Sequence, residues 1–202
     1  MSFTIWFTGL PSSGKSTVAK LVEEELRSRD KQVHNLDGDN LRKKMHPDLG
    51  FTKEERAINN KRMAVIASLL NHHDIATIVA AISPFEDARQ TAREEIEEEG
   101  EFVLVHADCS VETCKERDPK GLYRKAEEGK IENFTGVNHP YEEPEDPEVY
   151  IDTENDSPEE CAEKVVDYLE KEGLLEERDK VTGMTGGEEE KVKERLRELG
   201  YL

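Results

Sequence analysis

Short apolar runs alternate with amphipathic stretches along most of the chain. Continuous runs rich in β-branched and aromatic residues predict strands that are buried on both faces. Such strands are predicted at Phe3–Thr8, 31–36, 76–82, 102–107 and 149–152. Between the runs, apolar residues recur every three or four positions, which predicts helices at 16–29, 41–45, 52–71, 86–98, 111–117 and 157–173. This order predicts a three-layer α/β fold, in which a mostly parallel sheet has helices on both faces.

Two parts of the chain depart from this alternation. Residues 118–148 contain four prolines and three glycines with little predicted regular structure, which is typical of a lid over a substrate site. Residues 174–187 are predicted to be a linker, and 188–202 an amphipathic helix with Val192, Leu196 and Leu199 on one side. That helix either frays or packs on its own domain, or it docks on a partner or a second subunit. The folded domain is therefore predicted at 1–173.

The turn between the first strand and the first helix carries the motif G-x-x-x-x-G-K-[ST], a phosphate-binding P-loop. Its residues are Gly9, Leu10, Pro11, Ser12, Ser13, Gly14, Lys15 and Ser16, and Thr17 follows in the helix. The glycines let several backbone N–H groups face an anion, and the helix dipole adds positive charge. Lys15 can reach the β- and γ-phosphates of ATP, and the Ser16 hydroxyl can ligate Mg²⁺. The alternative is a chance lysine in a glycine-rich turn, which leaves the flanking strand and helix unexplained.

The chain of 202 residues has a net charge of −19, from 28 basic and 47 acidic side chains. This acidity disfavours nucleic acids and anionic membranes as partners, and it requires cations to concentrate at any anion site. The surface is either simply well solvated or adapted to a high-salt cytoplasm. No apolar stretch is long enough to span a membrane and no signal-like segment is found, which predicts a cytoplasmic protein. The three cysteines show neither metal-ligand nor disulfide spacing.

Acidic side chains follow the second predicted strand. Asp37 and Asp39 are expected at the carboxyl edge of the sheet, on the strand next to the P-loop strand. Phosphoryl transfer needs one carboxylate that holds the water shell of Mg²⁺ and one that orients the attacking hydroxyl. The two aspartates are candidates for these roles. The alternative is that both are ordinary Asx-turn residues.

A second group of side chains suits an anion that binds beside ATP. Arg42 lies on a short helix, and Arg56, Asn59 and Arg62 are predicted on one face of the next helix. Guanidinium groups bind oxyanions through paired hydrogen bonds, and Phe51 at a glycine turn offers a stacking plane. Arg42 or Arg62 could each instead be a surface helix charge paired with Glu54 or Glu55. The lid region adds further cations at Arg117, Lys120, Arg124, Lys125 and Lys130.

Seven motifs in chain order resemble the adenylylsulfate (APS) kinase family over about residues 1–173. They are 9–17, 36–42, 48–52, 82–85, 117–123, 134–137 and 140–142. The resemblance implies a P-loop kinase fold and, in sulfate assimilation, phosphoryl transfer from ATP to the ribose 3′-hydroxyl of adenylyl sulfate. The products would be ADP and 3′-phosphoadenylyl sulfate (PAPS). Mg²⁺ is implied with ATP as co-substrate, the implied partners are the small molecules ATP and APS, and a homodimer would be common for the family.

The resemblance also implies roles for individual residues. Lys15 would be catalytic together with Asp39, which would activate the 3′-hydroxyl, and Ser16 and Asp37 would hold Mg²⁺, partly through water. ATP would be bound by the P-loop and Arg117. The implied APS contacts are Asp39, Arg42, Phe51, Arg56, Asn59, Ile82, Ser83, Lys120 and Phe134. Ser83 matches a serine described in this family as a phosphoserine intermediate, although in-line transfer needs no covalent step. It could equally be a turn residue at a strand end.

Three positions depart from the family pattern, where Lys61 replaces an arginine, Phe85 a tyrosine and Glu127 a common basic residue. Lys61 cannot make the bidentate contacts of arginine, and Glu127 would weaken anion capture by the lid. Two other functions stay open. The chain could be another small-molecule P-loop kinase, for a sugar or a nucleoside. It could also be a catalytically idle domain that binds APS or PAPS and regulates a partner.

Overall fold

The computed structural model describes residues 2–45 and 47–177, and within them a five-stranded sheet forms the centre of the fold. Its strands are β1 (Phe3–Thr8), β2 (Val33–Asp37), β3 (Ala76–Ala80), β4 (Glu101–Asp108) and β5 (Val149–Asp152). The spatial order is β2-β3-β1-β4-β5, and every neighbouring pair is parallel. Parallel pairing brings the carboxyl ends of these strands to one edge, where such folds bind their ligands. The prediction of an α/β fold with a parallel sheet is confirmed.

Helices cover both faces of this sheet. They are α1 (Lys15–Ser28), α2 (Gly38–Met45), α3 (Lys53–His72), α4 (Glu86–Ile96), α5 (Val111–Arg117), α6 (Leu122–Glu127) and α7 (Pro158–Lys171). Helices α1 and α7 pack on one face, and α3 and α4 pack on the other. Successive side chains of β1 alternate between the faces, so Phe3 and Phe7 lie under α1 and α7, whereas Trp6 lies under α3 and α4. The three layers are those that the hydrophobic pattern predicts.

Two helix starts follow from capping boxes in the sequence. The Thr52 side chain accepts a hydrogen bond from the N–H of Glu55, whose carboxylate in turn accepts one from the N–H of Thr52. Ser157 and Glu160 make the same exchange at the start of α7, with Pro158 at the first helical position. These exchanges satisfy N–H groups that a helix N-terminus otherwise leaves unpaired. The predicted starts of both helices are confirmed.

The segment 118–148 is more regular and more firmly attached than the sequence suggests. It contains the short helix α6, so the expectation of little regular structure was wrong there. The hydroxyls of Tyr141 and Thr8 are hydrogen-bonded at 3.1 Å, and Glu142 N donates to Pro84 O at 2.8 Å. The far end of the segment is therefore tied to the carboxyl ends of β1 and β3. Its role as a lid stays a prediction.

The chain after α7 continues along the core. Leu174 and Leu175 pack against the hydrophobic cluster under α1 and α7, two residues past the predicted domain boundary. The division into domain, linker and terminal helix stays a prediction, and the predicted helix at 188–202 lies outside the described residues. Across residues 2–45 and 47–177, no helix combines the length and the apolar character needed to cross a membrane.

Candidate active site

The loop between β1 and α1 curls tightly, and two glycines allow it to do so. Gly9 has a φ of +147°, and a Cβ at this position would lie 2.5 Å from Ala107 O and 2.8 Å from Ser13 Oγ. Gly14 has a φ of +84° and is the N-cap of α1. Residues with a side chain rarely adopt either conformation, and at Gly9 a side chain has no space. The motif therefore lies in the strand–loop–helix setting that a P-loop requires.

Lys15, the first residue of α1, turns its side chain back into the curl of the loop. Its Nζ donates to Gly9 O at 3.0 Å, to Leu10 O at 2.6 Å and to Ser13 Oγ at 3.2 Å. These oxygens fix the buried ammonium beside the helix N-terminus, where the backbone also favours an anion. Ser16 follows on the exposed side of the first helical turn. A phosphate cradled by this loop would meet Lys15 and the Ser16 hydroxyl together.

Two side chains that are not among the predicted site residues, Thr153 and Tyr123, anchor the loop from outside. Thr153 Oγ1 donates to Ser13 O at 2.8 Å, and Tyr123 OH donates to Pro11 O at 3.0 Å. Arg117, a predicted ATP contact, donates to Thr153 O at 2.6 Å and so lies beside the same loop. Both anchors are distant from the loop in sequence, so no local spacing could have identified them.

The residues predicted to hold Mg²⁺ provide hard oxygen donors. Ser16 presents an exposed hydroxyl, and Thr17 lies next to it. Asp37 ends β2, and its Oδ1 accepts a hydrogen bond from Asn40 N at 2.8 Å. This bond supports the first turn of α2, which begins three residues earlier than predicted, at Gly38. A hydroxyl and a carboxylate suit Mg²⁺, which keeps several waters when it is bound, so the donor set fits this ion.

The order of the sheet corrects one expectation about the two aspartates. The sequence predicts Asp37 and Asp39 on the strand next to the P-loop strand, but β3 lies between β1 and β2. Two strand spacings, about 10 Å, therefore separate the P-loop from the end of β2. Asp39 belongs to the first turn of α2, and its side chain lies outside what the structure describes.

Arg42 and Arg56 converge on the ring of Phe51. Their Cζ atoms lie 4.6 Å and 5.4 Å from the centroid of that ring. Arg42 Nη1 donates to Gly50 O, and Arg56 Nε donates to Phe51 O at 3.0 Å. Burial, and to a smaller extent the nearby charge of Arg42, lowers the pKa of the Arg56 guanidinium to about 10. Two positive charges held this close to each other favour an anionic ligand.

Arg56 also links α3 to the part of the chain that carries Phe134. Arg56 Nη2 donates to Asn133 O at 2.7 Å, and the Phe134 ring packs edge-on against Tyr123 with the centroids 4.9 Å apart. The Phe134 side chain is 8% exposed, whereas Phe51 is 50% exposed. The Arg56 guanidinium therefore connects Phe51 to Asn133, the residue that precedes Phe134.

The remaining predicted contacts differ in their surroundings. Asn59 is buried on α3, with its Nδ2 3.8 Å from Met63 Sδ. Arg62 donates two hydrogen bonds to the Asp48 carboxylate, at 3.0 Å and 2.9 Å. This partly exposed ion pair fits the alternative that Arg62 is a surface charge, so we leave Arg62 out of the anion site. Lys120 is exposed in the predicted lid.

Ile82 and Ser83 lie beyond the carboxyl end of β3, between the P-loop and the end of β2. Thr8 Oγ1 donates to Ile82 O at 2.8 Å, which binds this turn to the end of β1. Ser83 has a φ of +42° and is 2% exposed. Its Oγ accepts a hydrogen bond from Trp6 Nε1 at 2.9 Å. The turn therefore lies at the same edge of the sheet as the other site residues.

Two basic side chains at this edge, Lys15 and Arg56, donate to carbonyl or hydroxyl oxygens in the contacts described above. Many other cations pair with carboxylates, as in Arg29–Glu170, Arg93–Glu148 and Lys164–Asp156. Glu127 is itself paired, with Lys115 at 2.8 Å, so its charge in the lid region is neutralised locally. The concentration of cations at the pocket stays a prediction.

Comparison with known proteins extends these observations. Residues 1–152 match the family described as adenylylsulphate kinase. The adenylyl-sulfate kinase of Halothermothrix orenii is 48% identical over 172 residues, which cover 85% of this chain and 91% of that protein. The Mycobacterium tuberculosis APS kinase CysC, solved in complex with AMPPNP and APS, has a TM-score of 0.81 at 42% identity and covers 84% of this chain and 98% of that chain. A hexameric APS kinase from Thiobacillus denitrificans has a TM-score of 0.68 at 31% identity, covering 88% of this chain and 30% of that chain.

The matched residues include the main parts of the site described above, and Thr153 directly follows them. The P-loop, the arginine pair around Phe51, the turn at Ser83 and the predicted lid all fall within 1–152. The sequence motifs, the fold and the relatives therefore point to one conclusion, that the chain belongs to the adenylylsulphate kinase family.

Proposed function

We propose that the chain transfers the γ-phosphoryl group of ATP to the ribose 3′-hydroxyl of adenylyl sulfate and so forms ADP and PAPS. One observation carries the proposal, namely that two anion-binding groups share one edge of the sheet. The first is the P-loop with Lys15, and the second is the pair Arg42 and Arg56 around Phe51. A kinase that joins two anionic nucleotides needs both. Family membership supports the same reaction, and the M. tuberculosis relative is described in complex with APS and an ATP analogue.

On the ATP side, the loop N–H groups and Lys15 bind the β- and γ-phosphates, and Arg117 lies beside the loop through Thr153. Ser16 and Asp37 would hold Mg²⁺, with Asp37 acting through water. When bound, this ion neutralises charge on the phosphates. Asp39 would orient the 3′-hydroxyl and accept its proton as the phosphoryl group is transferred. In this scheme Asp39 contributes mainly to turnover.

On the APS side, Arg42, Arg56 and Asn59 would hold the phosphosulfate and the ribose. Phe51 would stack on the adenine, and Phe134 and the backbone of Ile82 would border the same pocket. The lid, with Lys120, would close over both nucleotides and exclude water, which otherwise competes as a phosphoryl acceptor. Arg42 therefore contributes mainly to binding of APS.

The two alternatives explain fewer of these features. A sugar kinase has no need for Arg42 and Arg56 around an exposed Phe51, because a neutral sugar presents no second anion. A Janibacter sugar kinase shares only the fold, with 18% identity and a TM-score of 0.59. An idle binding domain would have no need for Lys15, Ser16 and Asp39 together.

A coupled assay of ADP release with ATP and APS tests the proposal. The wild-type chain should turn over APS. Asp39→Ala should lower kcat by roughly 100-fold or more, the usual contribution of a positioned acid or base, with a smaller change in KM for APS. Arg42→Ala should raise KM for APS by roughly 30-fold or more, as expected when one charged partner of an anion is lost, with a smaller change in kcat.

Arg27→Ala provides the matched control, because Arg27 is an exposed arginine of α1 paired with Glu23 and lies outside the site. It should behave as wild type. Turnover with a sugar or nucleoside but not with APS would contradict the proposal. Tight APS binding without turnover would favour the idle domain. Equal losses of kcat and APS affinity in both Asp39→Ala and Arg42→Ala would contradict the assigned roles.

We further propose that the enzyme works in the cytoplasm and assembles as a homo-oligomer. The three cysteines are buried and unpaired, which suits a reducing compartment. The T. denitrificans relative is described as hexameric, which supports assembly of identical chains without fixing their number.

ATP and APS are the proposed small-molecule partners. The net charge of −19 supports the proposal that nucleic acids and anionic membranes are not partners.

The same net charge leads us to propose adaptation to a high-salt cytoplasm, which predicts a specific dependence of Tm on KCl. Repulsion between exposed charges that lie more than about 10 Å apart is largely screened at about 0.1 M salt. An adapted protein should keep gaining Tm between 0.2 M and 2 M KCl, on the order of several degrees for 1–2 kcal/mol. Thermal unfolding followed by circular dichroism measures this. A Tm that stops rising by about 0.2 M would show ordinary screening and contradict the adaptation.

A further inference from the structure

A network of hydrogen bonds holds the turn that follows β3. The Ile82 carbonyl accepts from Thr8 Oγ1 at 2.8 Å, and the Ser83 carbonyl accepts from Arg89 Nη1 at 2.8 Å. The Ser83 hydroxyl accepts from Trp6 Nε1 at 2.9 Å. Side chains from β1 and from α4 therefore fix both carbonyls and the hydroxyl of this turn.

The backbone of Ser83 needs such support. Its φ of +42° lies in the left-handed region, which is unfavourable for a residue with a side chain and persists only where the surroundings fix it. Trp6 is completely buried in the core under α3 and α4, so its indole cannot follow the turn if the turn relaxes. The bond between Trp6 and Ser83 therefore opposes that relaxation.

Burial also limits what else the Ser83 hydroxyl can do. A phosphoryl group on Ser83 Oγ would bring about −1.5 to −2 charges into a site where the residue is 2% exposed. It would also displace the indole N–H of Trp6. The Arg89 guanidinium, which contacts this turn, already binds Glu86 through Nε and Nη2. The geometry therefore disfavours a role of the Ser83 hydroxyl as the carrier of a phosphoryl group and favours its role as a hydrogen-bond acceptor.

We propose that Trp6 and Ser83 form a positioning pair. The indole N–H fixes the Ser83 hydroxyl, and the backbone of Ile82 and Ser83 thereby keeps the shape that adenylyl sulfate contacts. This inference rests on the proposed function, in which that backbone borders the APS pocket. The turn touches the P-loop through a long hydrogen bond from Gly9 N to Ile82 O, at 3.4 Å, whereas Thr153 and Tyr123 fix the loop separately. Loss of the bond between Trp6 and Ser83 should therefore weaken APS binding and leave ATP binding essentially unchanged.

The test compares Trp6→Phe, Ser83→Ala and the double variant by steady-state kinetics. Each single variant removes the same neutral hydrogen bond, so each should raise KM for APS by roughly two- to tenfold, while kcat and KM for ATP stay essentially unchanged. The double variant should match either single variant, because the bond is lost only once. An obligatory phosphoserine would instead make Ser83→Ala inactive and leave Trp6→Phe active.

Thr4→Val is the matched control. Thr4 lies on the same strand and face as Trp6, and its Oγ1 donates a buried hydrogen bond to Asn71 Oδ1 at 2.7 Å. Thr4 pairs with Thr77 near the start of β3, at the opposite edge of the sheet from the site. Thr4→Val should therefore lower stability and leave KM for APS unchanged. A rise in KM for APS as large as that of Trp6→Phe would show a general effect of weakening β1 and would overturn the positioning pair.

A spectroscopic readout covers the case in which Trp6→Phe fails to fold. Trp6 is the single tryptophan of the chain, so the emission of the folded protein reports on its surroundings. Ser83→Ala should shift that emission, and Thr4→Val should not. If the wild type turns over APS but Ser83→Ala shows neither the emission shift nor a raised KM for APS, the positioning pair is overturned. The proposed function is not affected by that result. A wild type that does not turn over APS would contradict the proposed function, whatever the emission shows.

Discussion

Replacement of Lys15 by alanine is expected to lower kcat by roughly 100- to 1,000-fold, the effect of removing one preorganised donor from a transition state. The Lys15 ammonium is held by Gly9 O, Leu10 O and Ser13 Oγ, so its charge is fixed inside the curl of the P-loop. Charge spreads over the phosphoryl oxygens and the leaving oxygen during transfer. A fixed cation at this place stabilises the transition state more than bound ATP, so kcat should fall more than affinity for ATP.

The measurement is the coupled ADP-release assay, together with a titration of ATP binding. Lys20→Ala is the matched control, because Lys20 is a lysine of the same helix whose side chain is 74% exposed and pairs with Glu24 at 3.7 Å. Exposed pairs of this kind contribute little, so Lys20→Ala should have wild-type kinetics. A kcat of Lys15→Ala close to the wild-type value would show that Lys15 does not act on the transferred phosphoryl group.

The order of strands and helices could be predicted because each element leaves a local signal. All six residues of Phe3–Thr8 are buried, and a continuous apolar run of this kind marks a central parallel strand. The order of the strands in space leaves no such signal, because it depends on which helix crosses which face of the sheet. For this reason Asp37 was expected one strand nearer to the P-loop than the structure places it.

The residues of the candidate site likewise fall into a group that local sequence patterns predict and a group that they do not. Motif residues such as Arg42, Phe51 and Arg56 could be predicted from local patterns, and the structure brings them together. The residues that hold the loops could not, because their contacts arise only in the folded chain. Thr153 is 140 positions from Ser13, to which it donates, and Trp6 is 77 positions from Ser83. Sequence patterns thus identify groups that meet a ligand better than groups that position them.

Gly9→Ala is expected to abolish ATP-dependent turnover and to destabilise the fold by about 2–6 kcal/mol, from overpacking and backbone strain together. The added Cβ would lie 2.5 Å from Ala107 O, which belongs to the backbone of β4, and 2.8 Å from Ser13 Oγ. Ala107 cannot move away freely, because β4 is paired on both sides, with β1 and β5. The P-loop must therefore shift, and Lys15 then loses the Gly9 carbonyl that helps to fix its ammonium.

Urea unfolding and ATP titration of the Gly9→Ala variant test this expectation against Gly173→Ala. Gly173 also has a positive φ, of +70°, but among residues 2–45 and 47–177, its chain neighbours apart, no atom lies within 4 Å of a Cβ built there. Its substitution should cost only the backbone strain, about 1 kcal/mol, and leave turnover intact. The two variants therefore separate the strain of a positive φ from the steric demand of the P-loop. Wild-type ATP binding in Gly9→Ala would mean that the loop tolerates a side chain at this point, and that its tight curl is not what creates the phosphate site.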